Sequence, residues 1–133
     1  MNTSNMGCLA RWMIAALFIV SGLSMLVNYS ATAGWMSAAG VPMVGILLPI
    51  ALLIKIVGGV VYAMGKRYAK EAGYALILFT VVATMIGHTN PLDQNNIIQI
   101  LKNLAIIGGL LATTPCVCGG TCPMCKECEA KKA

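Results

Sequence analysis

The sequence has few charged side chains, and this scarcity indicates the class of protein. Of its 133 residues, 9 are lysine or arginine and 4 are aspartate or glutamate, so that charged residues make up 10% of the chain. A soluble domain carries about 25% charged residues. Hydrophobic residues account for 59% of the chain, and its mean hydropathy is +0.83. This composition excludes a soluble globular domain and predicts a membrane protein.

Histidine and the acids are the scarcest ionisable residues. The single histidine, His88, excludes haem ligation by two histidines of one chain. The four acids lie at or beyond the ends of the long apolar runs: Glu71, Asp93, Glu127 and Glu129. Because so few ionisable groups lie within those runs, we do not expect this chain to catalyse a reaction by itself.

Long apolar runs dominate the rest of the sequence. Four of them have about the 17–25 residues that a membrane-spanning helix needs, at residues 11–28, 43–65, 71–88 and 97–113. They are continuous rather than alternating, and the edge of a lipid-exposed sheet cannot satisfy its hydrogen bonds in hydrocarbon. The expected fold class is all-α: a four-helix transmembrane bundle over residues 11–113. A ten-residue N-terminal segment precedes this bundle, and a Cys-rich tail over residues 114–133 follows it.

The first apolar run has a second interpretation. A charge at Arg11, an apolar core and "ATA" at residues 31–33 resemble a secretory signal with its cleavage site. Cleavage would leave three helices and an unpaired bundle face, so we expect the first helix to be retained.

The positions of lysine and arginine predict the orientation. Seven basic residues fall on one side of a four-helix arrangement: Arg11, Lys66, Arg67, Lys70, Lys126, Lys131 and Lys132. The opposite side has only Lys102, while Lys55 lies within the second run. Cytoplasmic loops carry the excess of positive charge, so both termini are expected in the cytoplasm. The basic residues are accounted for by topology and lipid headgroups, and no nucleic acid partner is expected.

The tail contains five of the six cysteines. They are Cys116, Cys118, Cys122, Cys125 and Cys128, spaced C-x-C-x₃-C-x₂-C-x₂-C. Cytoplasmic thiols are normally reduced, so the spacing favours metal binding or thiol exchange over a disulfide framework. Thiolates suit Zn²⁺, Cu(I) or an iron–sulfur cluster. Cys8 is expected on the same face and can join them. The alternative is a tail with no role in the core activity.

Lys55 is a basic residue in the middle of an apolar run. It lies about eleven residues from the inner end of the second helix, or roughly 16 Å along the axis. A central lysine costs about 2.5–3.5 kcal/mol on insertion scales. We therefore expect Lys55 to have an interaction partner in the membrane or a functional role. Its partner can be an uncharged bundle group such as Ser21, an anionic or quinone-like ligand, or a carboxylate of another subunit. Desolvation can also leave the lysine neutral. The alternative is a lysine tolerated in a water-filled packing defect.

Several segments taken together resemble the DoxX family of small bacterial and archaeal membrane proteins. They are "RWMIAALFIVSGLSML", "TAGWMSAAGVP", "IKIVGGVVYAMG", "AGYALILFTVVATMIGH" and "LKNLAIIGGLL", which span residues 11–111 in the family's order. The resemblance implies a four-helix bundle associated with membrane redox systems, such as subunits of quinol oxidase or thiosulfate:quinone oxidoreductase and oxidative-stress complexes. The Cys-rich tail lies outside it.

The resemblance extends to individual residues. Similar residues occur in the family at Arg11, Ser21-Gly22, Gly58-Gly59, His88 and Lys102-Asn103. Together with Lys55, which is a candidate because of its position within an apolar run, the ligand or quinone candidates are His88, Asn103 and Arg11. The sequence departs from the family's pattern in two places. The family commonly has a lysine after the Ser-Gly pair, where this chain has Ser24-Met25, and a glutamate where this chain has Lys55. A proton relay through that glutamate is accordingly not expected.

Two functions follow from these patterns. The first is an accessory subunit of a quinone-linked or sulfur/thiol membrane oxidoreductase, working with a partner subunit or as a homo-oligomer in the bilayer. Its location would be the bacterial or archaeal cytoplasmic (inner) membrane. The second is a protein that binds thiophilic metals such as copper or zinc, or confers resistance to them.

The predicted orientation can be tested by labelling. In right-side-out membrane vesicles, a membrane-impermeant maleimide should leave the tail cysteines unmodified until the vesicles are permeabilised. A Ser37→Cys variant of a chain without native cysteines should be labelled at once, because residue 37 lies in the predicted outer connection. Labelling of the native tail in sealed vesicles would reverse the orientation.

Overall fold

Helices make up almost all of the described structure. The computed structural model describes residues 3–65, 67–87 and 94–115, and these residues form five helices and no strand. The helices are α1 (Thr3–Val27), α2 (Tyr29–Ala38), α3 (Val44–Met64), α4 (Ala69–Gly87) and α5 (Gln94–Thr113). By length and composition, α1, α3, α4 and α5 can each cross a membrane. The predicted all-α fold with four spanning helices is therefore confirmed.

The helix boundaries differ from the expected ones mainly at the start of the chain. The first helix begins at Thr3 rather than near residue 11, because the helix continues through polar residues that a hydropathy window leaves out. The other spanning helices lie within about three residues of the predicted bounds.

The short helix α2 was not predicted. Its sequence, YSATAGWMSA, is too short and too rich in small polar residues to be recognised as a span. It starts just after Asn28 and ends before Gly40, which has φ +76°. That left-handed conformation favours glycine, so the chain can reverse there before α3 begins.

The four long helices pack in the cyclic order α1, α3, α4, α5, and α2 contacts α1 and α3. The most extensive contact is between α1 and α3. The outer faces carry many large exposed apolar side chains, among them Leu53, Tyr74, Leu78 and Leu104. In a bilayer these side chains face hydrocarbon, so their exposure is what a membrane bundle requires.

Two glycines bring α1 and α3 close together. A Cβ atom at Gly22 would lie 2.8 Å from Cγ1 of Ile56, and one at Gly59 would lie 3.0 Å from Cγ1 of Ile19. Small residues allow this close approach of helix backbones in membranes. Gly108 of α5, by contrast, has nothing within 4 Å of an added Cβ and takes no part in close helix packing.

The bundle has two unlike ends. The Arg11 end, where α1 and α4 begin and α3 and α5 finish, contains the core cluster of Ala15, Phe18, Tyr62, Ala72, Leu76 and Leu110. The α2 end, where α1 and α4 finish and α3 and α5 begin, is the more open one and contains a partly open cavity.

Glycine substitution tests the close approach of α1 and α3. Gly22→Ala should lower the free energy of unfolding by about 1–3 kcal/mol, because the added methyl group overlaps Ile56. Gly108→Ala is the matched control, since nothing lies within 4 Å of its added Cβ. Unfolding of the two variants in detergent micelles should separate them clearly. Equal stability of the two would contradict this packing.

Candidate ligand cavity

A cavity of about 750 Å³ lies within the α2 end of the bundle. All five helices contribute to its lining. Most of the lining side chains are apolar, and polar groups are few. The volume falls within the range of about 300–1,000 Å³ that is typical of small-molecule sites. Apolar walls with a few convergent polar groups make this cavity the candidate ligand site.

Lys55 reaches the cavity from the middle of α3. Its Nζ donates a hydrogen bond to the hydroxyl of Ser21 on α1, with 2.9 Å between the two atoms. The ammonium group also lies 5.7 Å from the ring centroid of Phe79 on α4. Ser21 is one of the partners predicted for Lys55 from the sequence. One hydroxyl is a weak partner for an ammonium group, so Lys55 retains donor capacity towards the cavity.

One face of α5 provides the other polar groups. Gln99, Lys102 and Asn103 line the cavity together with Ile106. Their spacing of three, four and seven residues places them on one helical face. Of these polar residues, only Asn103 was a predicted site residue; Lys102 and Gln99 were not. Their shared spacing with Asn103 was the signal that would have identified them.

Hydrogen bonds between α4 and α5 fix the position of Asn103. Its Nδ2 donates to Oγ1 of Thr84 at 2.9 Å, and Thr84 donates in turn to the backbone oxygen of Thr80 at 2.6 Å. Interhelical hydrogen bonds in membranes contribute about 0.6 kcal/mol each on average. Side-chain hydrogen bonds therefore stabilise the α4–α5 side of the cavity in addition to apolar packing.

Helix α2 covers the cavity at the end of the bundle. Trp35 and Met36 belong to its lining, as does Val41 in the connection that follows α2. The indole of Trp35 lies against Gly87 at the end of α4, where an added Cβ would meet the ring at 2.8 Å. About half of the Trp35 surface is exposed. This tryptophan is therefore well placed to report on the contents of the cavity.

Arg11 lies at the opposite end and does not line the cavity. Its guanidinium group is fully buried, donates to the backbone oxygen of Thr113 at 2.7 Å and lies 4.8 Å from the ring centroid of Tyr62. The hydroxyls of Tyr62 and Thr113 are hydrogen-bonded to each other. These contacts join α1, α3 and α5, so Arg11 has a structural role here and is not brought together with Lys55.

Two polar atoms at the Arg11 end have no hydrogen-bond partner among the residues that the structure describes. They are Nη1 of Arg11 and Oγ1 of Thr114, and both are buried. Thr114 packs against Gly73 of α4, where any larger residue would overlap its side chain. A buried polar atom without a hydrogen-bond partner costs about 1–3 kcal/mol. The Arg11 end is therefore tightly packed, but two of its polar atoms lower its stability.

The remaining predicted site residues lie largely outside the described residues. His88 and the tail cysteines Cys116, Cys118, Cys122, Cys125 and Cys128 all do, so their predicted roles stay predictions. Cys8 lies in α1 and is disulfide-bonded in the structure, which differs from the reduced thiol expected of it. Within residues 3–65, 67–87 and 94–115, no cluster of three metal-ligating side chains occurs.

The fold and cavity together define a class: a small multi-pass membrane protein with a lysine-lined pocket inside a four-helix bundle. The sequence model of the DoxX family matches residues 7–89, and the chain belongs to this family. It is 32% identical over 102 residues to the inner membrane protein YqjF of Escherichia coli (strain K12), which covers 77% of this chain and 76% of that relative. No solved structure matches the chain.

The match to the DoxX family model does not include the last helix, α5. It includes α1 to α4 and ends at residue 89, before α5 begins at Gln94. The cavity residues of α1, α3 and α4 therefore lie within the matched region. Lys102 and Asn103 lie beyond it, on the helix that completes the cavity.

Proposed function

We propose that this protein is an accessory subunit of a membrane redox system and binds a quinone-type ligand in the cavity of the α2 end. The observation that carries the proposal is the position of Lys55: a cationic donor inside an apolar cavity, held by only one described hydrogen bond, to Ser21. An ionisable residue within a membrane span marks a functional site by default.

The chemistry of the cavity suits a quinone. A quinone headgroup is a flat apolar ring with two carbonyl oxygens, so it needs apolar walls and hydrogen-bond donors. Phe79 and Ile106 provide apolar surface, and Lys55 and Gln99 provide donors on helices that face each other across the cavity. When bound, a quinone would supply the electron chemistry. The chain's own residues bind the ring, orient it and exclude water.

A partner would supply or accept the electrons. Few ionisable side chains lie within the apolar runs of the sequence, so we assign this chain the binding role and leave the reaction to a partner oxidoreductase. The inner-membrane name of the Escherichia coli relative supports the same location for this chain. Both termini are proposed to lie on the cytoplasmic side, as the lysine and arginine pattern predicts.

The tail cysteines form a second element of the proposal. The five cysteines between residues 116 and 128 suit a soft metal or the exchange of electrons with a partner. If the tail binds copper or zinc without any quinone-linked activity, the metal-binding alternative takes precedence.

Fluorescence tests the binding of quinone. The chain has two tryptophans, and Trp12 is exposed on the lipid face, so a Trp12→Phe background leaves Trp35 as the single reporter beside the cavity. Titration of decyl-ubiquinone into this protein in nanodiscs should quench Trp35 in a saturable manner. In Lys55→Met the affinity should fall about tenfold, because one charge-assisted hydrogen bond is lost.

The matched control is Lys70→Met, which removes an exposed lysine at the Arg11 end of α4. Its affinity for the quinone should equal that of the parent protein. Non-saturable quenching, equal in all three proteins, would show only partitioning into the lipid and would overturn the proposed function.

A further inference from the structure

The described residues that line the cavity include two lysines and no acid. Lys55 and Lys102 both line it, and neither aspartate nor glutamate belongs to its lining. In the described part of the chain the only acid is Glu71, which lies in the first turn of α4 at the Arg11 end. Within the described lining, two cationic side chains therefore have no negative group opposite them.

Both lysines line the same cavity, so two ammonium groups there repel each other. Such repulsion is strong where water is scarce, because the effective dielectric constant is low. Hydroxyl and amide groups such as those of Ser21 and Asn103 can accept or donate hydrogen bonds, but they carry no net charge. Only a negative group inside the cavity balances both lysines at once.

Their positions suit a shared anion. Lys55 comes from α3 and Lys102 from α5, two helices that are not neighbours in the bundle and that face each other across the cavity. An oxyanion placed between them can accept a hydrogen bond from each side. The apolar lining on α1 and α4 would surround the rest of the molecule.

We propose that the cavity selects an amphiphile whose polar group is an oxyanion, held between Lys55 and Lys102. This inference rests on the proposed function and narrows its ligand class from any quinone to one that carries a negative oxygen. An ionised ring hydroxyl of a quinone and the carboxylate of a fatty acid share this chemistry.

Two matched pairs of probes separate the effect of charge from that of shape. The first pair is 2-hydroxy-3-undecyl-1,4-naphthoquinone, which is ionised at neutral pH, and 2-undecyl-1,4-naphthoquinone, which is neutral. The second pair is palmitate and hexadecanol. Trp35 fluorescence in the Trp12→Phe background is quenched when either quinone binds. Palmitate and hexadecanol are measured by competition: when one of them displaces a bound quinone, the Trp35 fluorescence recovers.

The anionic member of at least one pair should bind about ten to a hundredfold more tightly than its neutral counterpart, as expected for a charge-assisted contact. A preference within the quinone pair identifies a ring oxyanion as the ligand, and a preference within the second pair alone identifies a lipid carboxylate. Equal affinities within both pairs would overturn the inference. The proposed function would survive that result if neutral decyl-ubiquinone still quenched Trp35 saturably.

Variants test the role of the lysines. Lys55→Met and Lys102→Met should each reduce the preference for the anion, and the double variant should abolish it. Methionine has a long unbranched side chain and carries no charge, so both substitutions suit a membrane helix. Lys70→Met should keep the full preference. An unchanged preference in a folded double variant would overturn the inference.

Discussion

The close approach of α1 and α3 is the constraint on which the rest of the structure depends. Gly22 and Gly59 remove the side chains that would hold these helices apart. In hydrocarbon the hydrophobic effect does not drive helices together, so such contacts carry much of the association. The same approach places Ser21 within hydrogen-bonding distance of Lys55. Packing and the candidate site are therefore linked through one helix pair.

The positively charged side chains at the two ends of the bundle have different surroundings. At the Arg11 end, tight packing surrounds the guanidinium group, which is stabilised by the Thr113 carbonyl and the Tyr62 ring. At the α2 end, the helices separate around a cavity and two lysines share it. The first arrangement fixes three helices in place. The second leaves room for a molecule from outside the chain, which is why we assign binding to that end.

The features that could be predicted from the sequence are those that depend on one segment of the chain and not on how the helices pack together. The bilayer sets the length of a spanning helix, so apolar runs were sufficient to find four of them. Lys55 was found because a charge interrupts such a run. Helix α2 was missed because ten residues of mixed polarity have no such signature. Lys102 was missed although it shares a helical face with Asn103, because tertiary packing decides that this face of α5 lines the cavity.

The most direct test of the central claim is to identify what the cavity holds in the native membrane. Protein purified in a mild detergent can be weighed intact by mass spectrometry, and its bound molecules can then be extracted and analysed. Our account predicts close to one equivalent of a quinone-type ligand with a negatively charged oxygen on the wild-type protein, and a strongly reduced amount on Lys55→Met. Identical lipid content in both proteins, with no quinone in either, would contradict it.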